Sequence, residues 1–471
     1  MSHTATELQY DNISTLENKT PQFQIWAFWI ALFISGAIAA VLYKNQQSTL
    51  AFIIMGIPFA ISMLVAPQIA FYVYFFWQAF DASMAASETA VFTPAKALSL
   101  FIVALYLVSI GRIRTQILVS KKFVWIMLAF SVIGIVGSTW AIASFASLRY
   151  GLQIFVQLVL VIAVLQFIDS PARIRTLMFW CFGGGVLAAI TMIITGGVSS
   201  QYSRGTLGEY ANPNTTALAF SVALMCLPIL ILYSKKRILL FCVYIIGALI
   251  ILLGMMKTGS RSSILAVFGS ICIGAVLSRN SGTIKKIFIP ALVCIVIFGT
   301  WQFVSQSGLI DEKSKEHLGS LIGKGSEQDS NSRLNIWATA LHVYANHGLI
   351  TGFGFGNTAF AMEKYQMEFV DIHNTILSSL MDGGPIGFGL FMTGLALLFI
   401  FVWRIKNHNT RMVAIMMFFY LIINCGTHTI HFTKWFWIPV TICLLLAEGS
   451  KREEIQNELA STEFREDSET I

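Results

Sequence analysis

Long apolar runs alternate with short polar gaps along most of this chain. The runs fall at roughly 25–43, 94–111, 123–147, 151–168, 176–195, 214–233, 238–256, 262–278, 287–304, 386–403, 411–425 and 435–447. A helix crosses a hydrocarbon core with about 20 mostly apolar residues, and each run is of that kind or slightly shorter. Residues 50–80 make either one long tilted span or two short ones broken near Pro67. The pattern predicts an all-α polytopic integral membrane protein of about 12–14 transmembrane helices. It also divides the chain. A polar N-terminal tail covers 1–24, transmembrane helices 25–304, and a long loop with short helices 305–385. Further transmembrane helices cover 386–447, and a polar tail 448–471.

Composition agrees with this reading. The chain of 471 residues is 56% apolar without counting glycine, and only 12% is charged. An ordinary soluble domain carries about 25% charged residues. A soluble fold would have no polar surface with which to cover 37 phenylalanines. The net charge of +7 does not point to a nucleic-acid partner, because the lysines and arginines sit in short gaps between apolar runs. The first apolar run starts after Pro21, too far in for a cleavable secretion signal. The seven cysteines all lie in apolar runs and form no Cys-x-x-Cys pair, so they read as small core residues rather than disulfides or metal ligands.

Charge sets the orientation. One set of short loops carries Arg112, Arg114, Lys121, Lys122, Arg173, Arg175, Lys235, Lys236, Arg237, Arg279, Lys285, Lys286, Arg404, Lys406 and Arg411. The opposite set carries only Arg149, Arg204, Lys257, Arg261 and Lys434. The richer side is cytoplasmic by the positive-inside rule. The long loop and the gap 196–213 therefore face outward, and the acidic tail from about 448 is expected inside and loose. Charges beside outward span ends are costly unless something meets them, which singles out Arg204 and Arg261.

The outer loop has two halves. Residues up to about 331 are polar and rich in glycine and serine. Then "SNSRLNIWATALHVYANHG" reads as a helix, with Ser330 or Ser332 as its cap and Leu334, Trp337, Leu341 and Tyr344 on one face. Arg333 shares a side with Trp337, four residues on. Next, Gly352, Gly354 and Gly356 alternate with Phe353 and Phe355, as a tight turn or a close approach to a ligand requires. No phosphate-loop fingerprint follows. In "VDIHNTILSSLMDGGPIG", Asp371 is a candidate cap for a helix from about 372, with His373 in its first turn and Asn374 beside it. Gly383, Gly384 and Pro385 should break the chain before the next span. From spacing alone, His373 is either a reacting group or an interfacial histidine held by hydrogen bonds. Arg261 stands at a span start, where unpaired N–H groups and the helix dipole favour an anion. Two outward arginines and a helix N-terminus suit a diphosphate, and Arg333 adds a third positive group.

The ordered set "SRGTLGEYANPNTTA", "TGSRSS", "SRLNIWATAL", "GLITGFGFGNTAF" and "DIHNTILSSLMDGGPIG" resembles the O-antigen ligase / oligosaccharide polymerase family of bacterial envelope proteins. The likeness covers roughly residues 200–425. It implies a helical membrane fold of the GT-C type in the inner membrane, working on its periplasmic face. It implies a donor glycan linked through diphosphate to undecaprenol, and no metal, nucleotide sugar or other cofactor. It places catalytic roles on Arg204, Arg261 and His373. Arg333, Asp371, Asn374, Trp337 and Tyr344 are the further candidates for binding substrate or steadying the site. The acceptor is lipid A–core for a ligase, a second glycan repeat for a polymerase, or a protein hydroxyl for a protein-directed relative; the ligase is the leading expectation. Two other classes compete. A transporter would carry mid-membrane charges and an internal repeat, which the spans lack. A metal hydrolase would have to use His428 and His431, fewer ligands than zinc sites need.

Overall fold

The computed structural model describes residues 66–80, 94–109, 115–195, 206, 212–233, 238–277, 299, 326–348, 350–366 and 370–469. Residues Phe71–Ile471 form one compact unit and Met1–Ala70 another. All regular structure among the described residues is helical: α1 Gln68–Trp77, α2 Pro94–Ser109, α3 Lys121–Gly137, α4 Ser144–Phe167, α5 Pro171–Thr195, α6 Pro213–Met225, α7 Leu227–Tyr233, α8 Ile238–Lys257, α9 Arg261–Leu277, α10 Ser326–His347, α11 Thr358–Gln366, α12 Thr375–Trp403, α13 His408–Thr427 and α14 Lys434–Glu469. Six stretches among them are long and apolar enough to cross a membrane: α4, α5, α6 with α7 as Pro213–Leu232, α8, α12 and α13. The protein is an all-α, multi-pass membrane protein. The spans expected at 25–43 and 287–304, and most of 50–80, lie outside the described residues.

Two groups of helices make the larger unit. α3 pairs with α4, and α12 lies against α3, α13 and α14. α5, α6 and α8 form the second group. α9 joins them, packed along α13 on one side and α6 on the other. Phe130, Phe391, Phe436, Trp437 and Tyr420 are among the largest fully buried side chains.

Three features depart from or refine the apolar pattern. The run at 123–147 is not one helix: α3 stops at Gly137 and α4 starts at Ser144. Ser138 and Thr139 turn their hydroxyls back onto the carbonyls of Ile135 and Val136, at 2.6 and 2.9 Å. Asn357 then captures the turn, accepting the Ala143 N–H and donating to the Ala143 carbonyl. The break expected at 383–385 is present. Gly384 has φ 62° and ψ −167°, so a short helix over 375–383 precedes a long one over 385–403. Finally, the tail expected to be loose from 448 continues α14 to Glu469. Its buried Glu448 accepts the N–H groups of Leu118, Val119 and Ser120 at 2.8–2.9 Å. Arg452 donates to the carbonyls of Leu165 and Asp169, and Glu454 pairs with Lys406. These tertiary ties hold a sequence too polar to order itself.

Candidate functional site

The segment 370–375 enters α12 differently from the expectation. Its cap is Asn374, not Asp371: Asn374 Oδ1 accepts the Leu377 N–H at 3.0 Å, and the helix begins at Thr375. His373 therefore precedes the helix instead of lying in its first turn. Its φ of 46° puts it in the left-handed region, where non-glycine residues are uncommon and histidine is among those enriched. Such a conformation costs about 1–2 kcal/mol and persists only where surroundings enforce it. Asp371 provides that enforcement. Its Oδ1 accepts the His373 N–H at 3.1 Å and the Thr429 hydroxyl at 2.9 Å, and its Oδ2 stands 3.4 Å from His373 Nδ1. The His373 side chain is 47% exposed, with the carboxylate behind it.

The turn between α13 and α14 supports this segment. Thr375 donates its hydroxyl hydrogen to the His428 carbonyl at 2.6 Å and accepts the Ile430 N–H at 2.8 Å. His428 Nε2 lies 2.8 Å from Ser262 Oγ, beside Arg261 in the first turn of α9. That helix is entered through Gly259, at φ 67°, with the Thr258 hydroxyl accepting the Ser260 N–H. Burial pushes the His428 ring down to about 3, and the positive charges of His373 and Arg333 act in the same direction. His428 is thus neutral at physiological pH, and His373 and Arg333 are close enough for their charges to be felt there.

α10 holds the loop from the other side and begins at Ser326, ahead of the Ser330 or Ser332 start expected from the sequence. Trp337 donates its indole N–H to the Ile372 carbonyl at 2.8 Å. Tyr344 is buried in a small core with Ala340, Val343, Phe353, Ala361, Met362, Ile372 and Met381, and burial raises its hydroxyl. Phe353 and Phe355 are buried as well, Phe355 against Phe130 and Phe432. The alternating glycines make that fit. Gly354 has φ 90°, and a Cβ there would sit 2.3 Å from that of Ala141. Phe355 packs the loop onto α3, while Phe353 and Tyr344 fill the loop's own core.

A second polar centre lies beneath. Asp382, 1% exposed, accepts from the backbone of Asn357 and Thr358, from the Thr358 hydroxyl at 2.8 Å, and from Ser378 at 2.9 Å. It caps α11 and pins the glycine loop to α12. His431 Nε2 is 3.9 Å away, in a ring packed among Phe130, Phe391 and Phe432.

His373 and Arg333 lie near enough to His428 for their charges to be felt there, Asp371 is hydrogen-bonded to its neighbour Thr429, and Arg261 adjoins Ser262, which meets the His428 ring. Asn374, Trp337 and Tyr344 hold the segment rather than facing outward with it. Arg204 lies outside the described residues. Ser262, Thr429 and Asp382 escape a reading of the sequence, and His428 enters it only as half of a histidine pair. Ser378 and Asp382 do carry a signal, the i, i+4 spacing that brings two side chains together on a helix. Among the described residues no group of three His, Cys, Asp or Glu side chains is placed to hold a metal ion.

Residues 246–392 match the model of a family described as O-antigen ligase. The match contains Arg261, Arg333 and the whole 370–375 segment, and stops short of His428. Curated relatives are a Na(+)/H(+) antiporter NhaA of Vibrio parahaemolyticus serotype O3:K6 (strain RIMD 2210633) and one of Vibrio alginolyticus. The first is 23% identical over 208 residues, 43% of this chain and 53% of that protein. The second is 23% identical over 212 residues, 44% of this chain and 54% of that protein. The chain spans about half the length of the curated relatives it matches.

Proposed function

We propose that this chain, which carries an O-antigen ligase family domain over residues 246–392, transfers a glycan from an undecaprenyl-diphosphate carrier to an acceptor hydroxyl at the outer face of the inner membrane. The observation that carries the reading is the hydrogen bond between His428 and Ser262, which brings the Arg261 helix end to the segment bearing His373. Arg261, with Arg204, binds the diphosphate and stabilises the charge that grows on it. His373 takes the proton of the acceptor hydroxyl, and Asp371 steadies the imidazole in place. The acceptor oxygen bonds to the anomeric carbon as the carbon–oxygen bond to phosphate breaks. Undecaprenyl diphosphate leaves with the electron pair, and the configuration inverts. Arg333 adds positive charge on the acceptor side of the donor phosphates. The lead acceptor is lipid A–core, as in a ligase; a second lipid-linked repeat or a protein hydroxyl defines the alternatives. No step needs a metal ion.

The test reconstitutes the purified chain in lipid with a lipid-diphosphate-linked glycan and offers the three acceptors separately, reading products by mass spectrometry. Product on one acceptor, lost in His373→Ala at normal membrane level, is the expected result. A second reading, ion transport, has one observation in its favour: the similarity to Na(+)/H(+) antiporters. Against it, the fully buried Asp382 has its oxygens engaged by four protein donors and offers little to a passing ion. Sodium-driven proton movement in the same vesicles, with no glycan product, would replace the first reading by the second.

A further inference from the structure

We infer that His428 is a positioning residue of the reacting site, an inference that rests on the glycan-transfer reading and extends it beyond the matched residues. Its surroundings form a brace. The residue is 6% exposed, and its Nε2 meets Ser262 across 166 positions of chain at 2.8 Å. Its carbonyl takes the Thr375 hydroxyl, which in turn accepts the Ile430 N–H. Its neighbour Thr429 donates to Asp371. One three-residue turn therefore grips the base segment on both sides of His373, at Asp371 and at Thr375. The same turn reaches the residue that follows Arg261.

The chemistry explains why such a brace matters. A general base works only within hydrogen-bond reach of its proton. An anion clamp works only where the leaving group develops charge. Here the two groups sit on separate helix ends, so their separation depends on the packing of α9 along α13 and on how the turn after α13 meets the start of α12. An apolar side chain in place of His428 would fill the space yet let α9 slide or turn. A rigid ring with a directed nitrogen sets the register, because a buried imidazole left unbonded is costly.

The test compares His428→Ala, His428→Asn, Ser262→Ala and the double Ala variant in the full chain in lipid vesicles. One readout is kcat and KM with the lipid-diphosphate-linked glycan. The other is backbone hydrogen exchange over 258–264 and 370–378, which needs no substrate. Each single Ala variant is expected to lower kcat by about 10- to 100-fold, as misplacing a reacting group by about an ångström does. KM should change by less than about threefold, since donor binding is retained. Exchange should rise in both segments and stay unchanged at 118–121. His428→Asn, whose amide can still meet Ser262, should recover kcat to within about fivefold of the parent. The double variant should lose no more than either single. Raised exchange with parental kcat would overturn the inference, leaving a brace without bearing on the reaction. Lowered kcat with unchanged exchange would also overturn it, because the ring would then act on substrate directly. If the parent chain transfers glycan to no acceptor while exchange responds as expected, the glycan-transfer reading fails and the brace between the two segments stands.

Discussion

Asp371 and Asp382 belong to one short stretch of chain, and they live in opposite surroundings. Asp382 is sealed under the loop, its oxygens filled by two backbone N–H groups and two hydroxyls. Asp371 is half exposed and shares its oxygens among a backbone N–H, the Thr429 hydroxyl and the His373 ring. A carboxylate whose lone pairs are taken by fixed donors in a dry site has structural work only. One that faces a histidine at a wet rim orients that ring while leaving it open to solvent. The lower centre holds the loop on the bundle, and the upper one is free to take part in chemistry.

This contrast can be broken experimentally, and the largest effect should come from below. Asp382→Ala strands its donors, at about 1–3 kcal/mol for each one left buried without an acceptor. The expected outcome is a large drop in melting temperature in detergent and in membrane level; a stable, normally abundant variant would remove Asp382 from its structural role. Next comes His373→Asn. Asparagine tolerates the left-handed backbone, so the fold should be kept while transfer falls by about 10²–10⁴-fold, the usual contribution of a general base. Parental turnover in that variant would move the chemistry elsewhere.

Acid should act on the buried support. His428 and His431 are both held down to about 3 by burial. An unfolded histidine titrates near 6.5, so between those values the unfolded chain binds more protons. Stability is then fully present above about pH 6.5 and is lost as pH falls, by at most about 1.4 kcal/mol per pH unit for each ring. Melting curves from pH 7 to pH 5 check this, and His428→Asn should reduce the slope. The smallest effect is expected from Asp371→Asn. It keeps the contact to Thr429 but weakens the hold on the His373 ring, at about 1 kcal/mol or about fivefold in kcat, with the melting temperature unchanged. A larger loss of stability there than in Asp382→Ala would invert the comparison.

The helices themselves are legible from apolar runs, because a span has to satisfy its backbone internally and cover itself with apolar side chains. The break at Gly384 and the loop helix α10 are legible too, the first from glycine and proline and the second from its apolar spacing. The interruption after Gly137 is not: the run there is apolar enough to continue, and the backbone is drawn aside by Asn357, from 214 positions away, and by the Phe353 carbonyl. Nor is the order in the tail, which depends on Glu448 reaching the start of α3.

The same division runs through the site. The sequence by itself determines that this is an all-helical, multi-pass membrane protein and offers candidate groups for a reaction. Which groups meet is decided by tertiary structure alone. Hydrophobic patterning is a property of neighbours along a chain, repeated every few residues. The bond between Ser262 and His428 depends on how two whole helices lie against each other, and no local spacing encodes that.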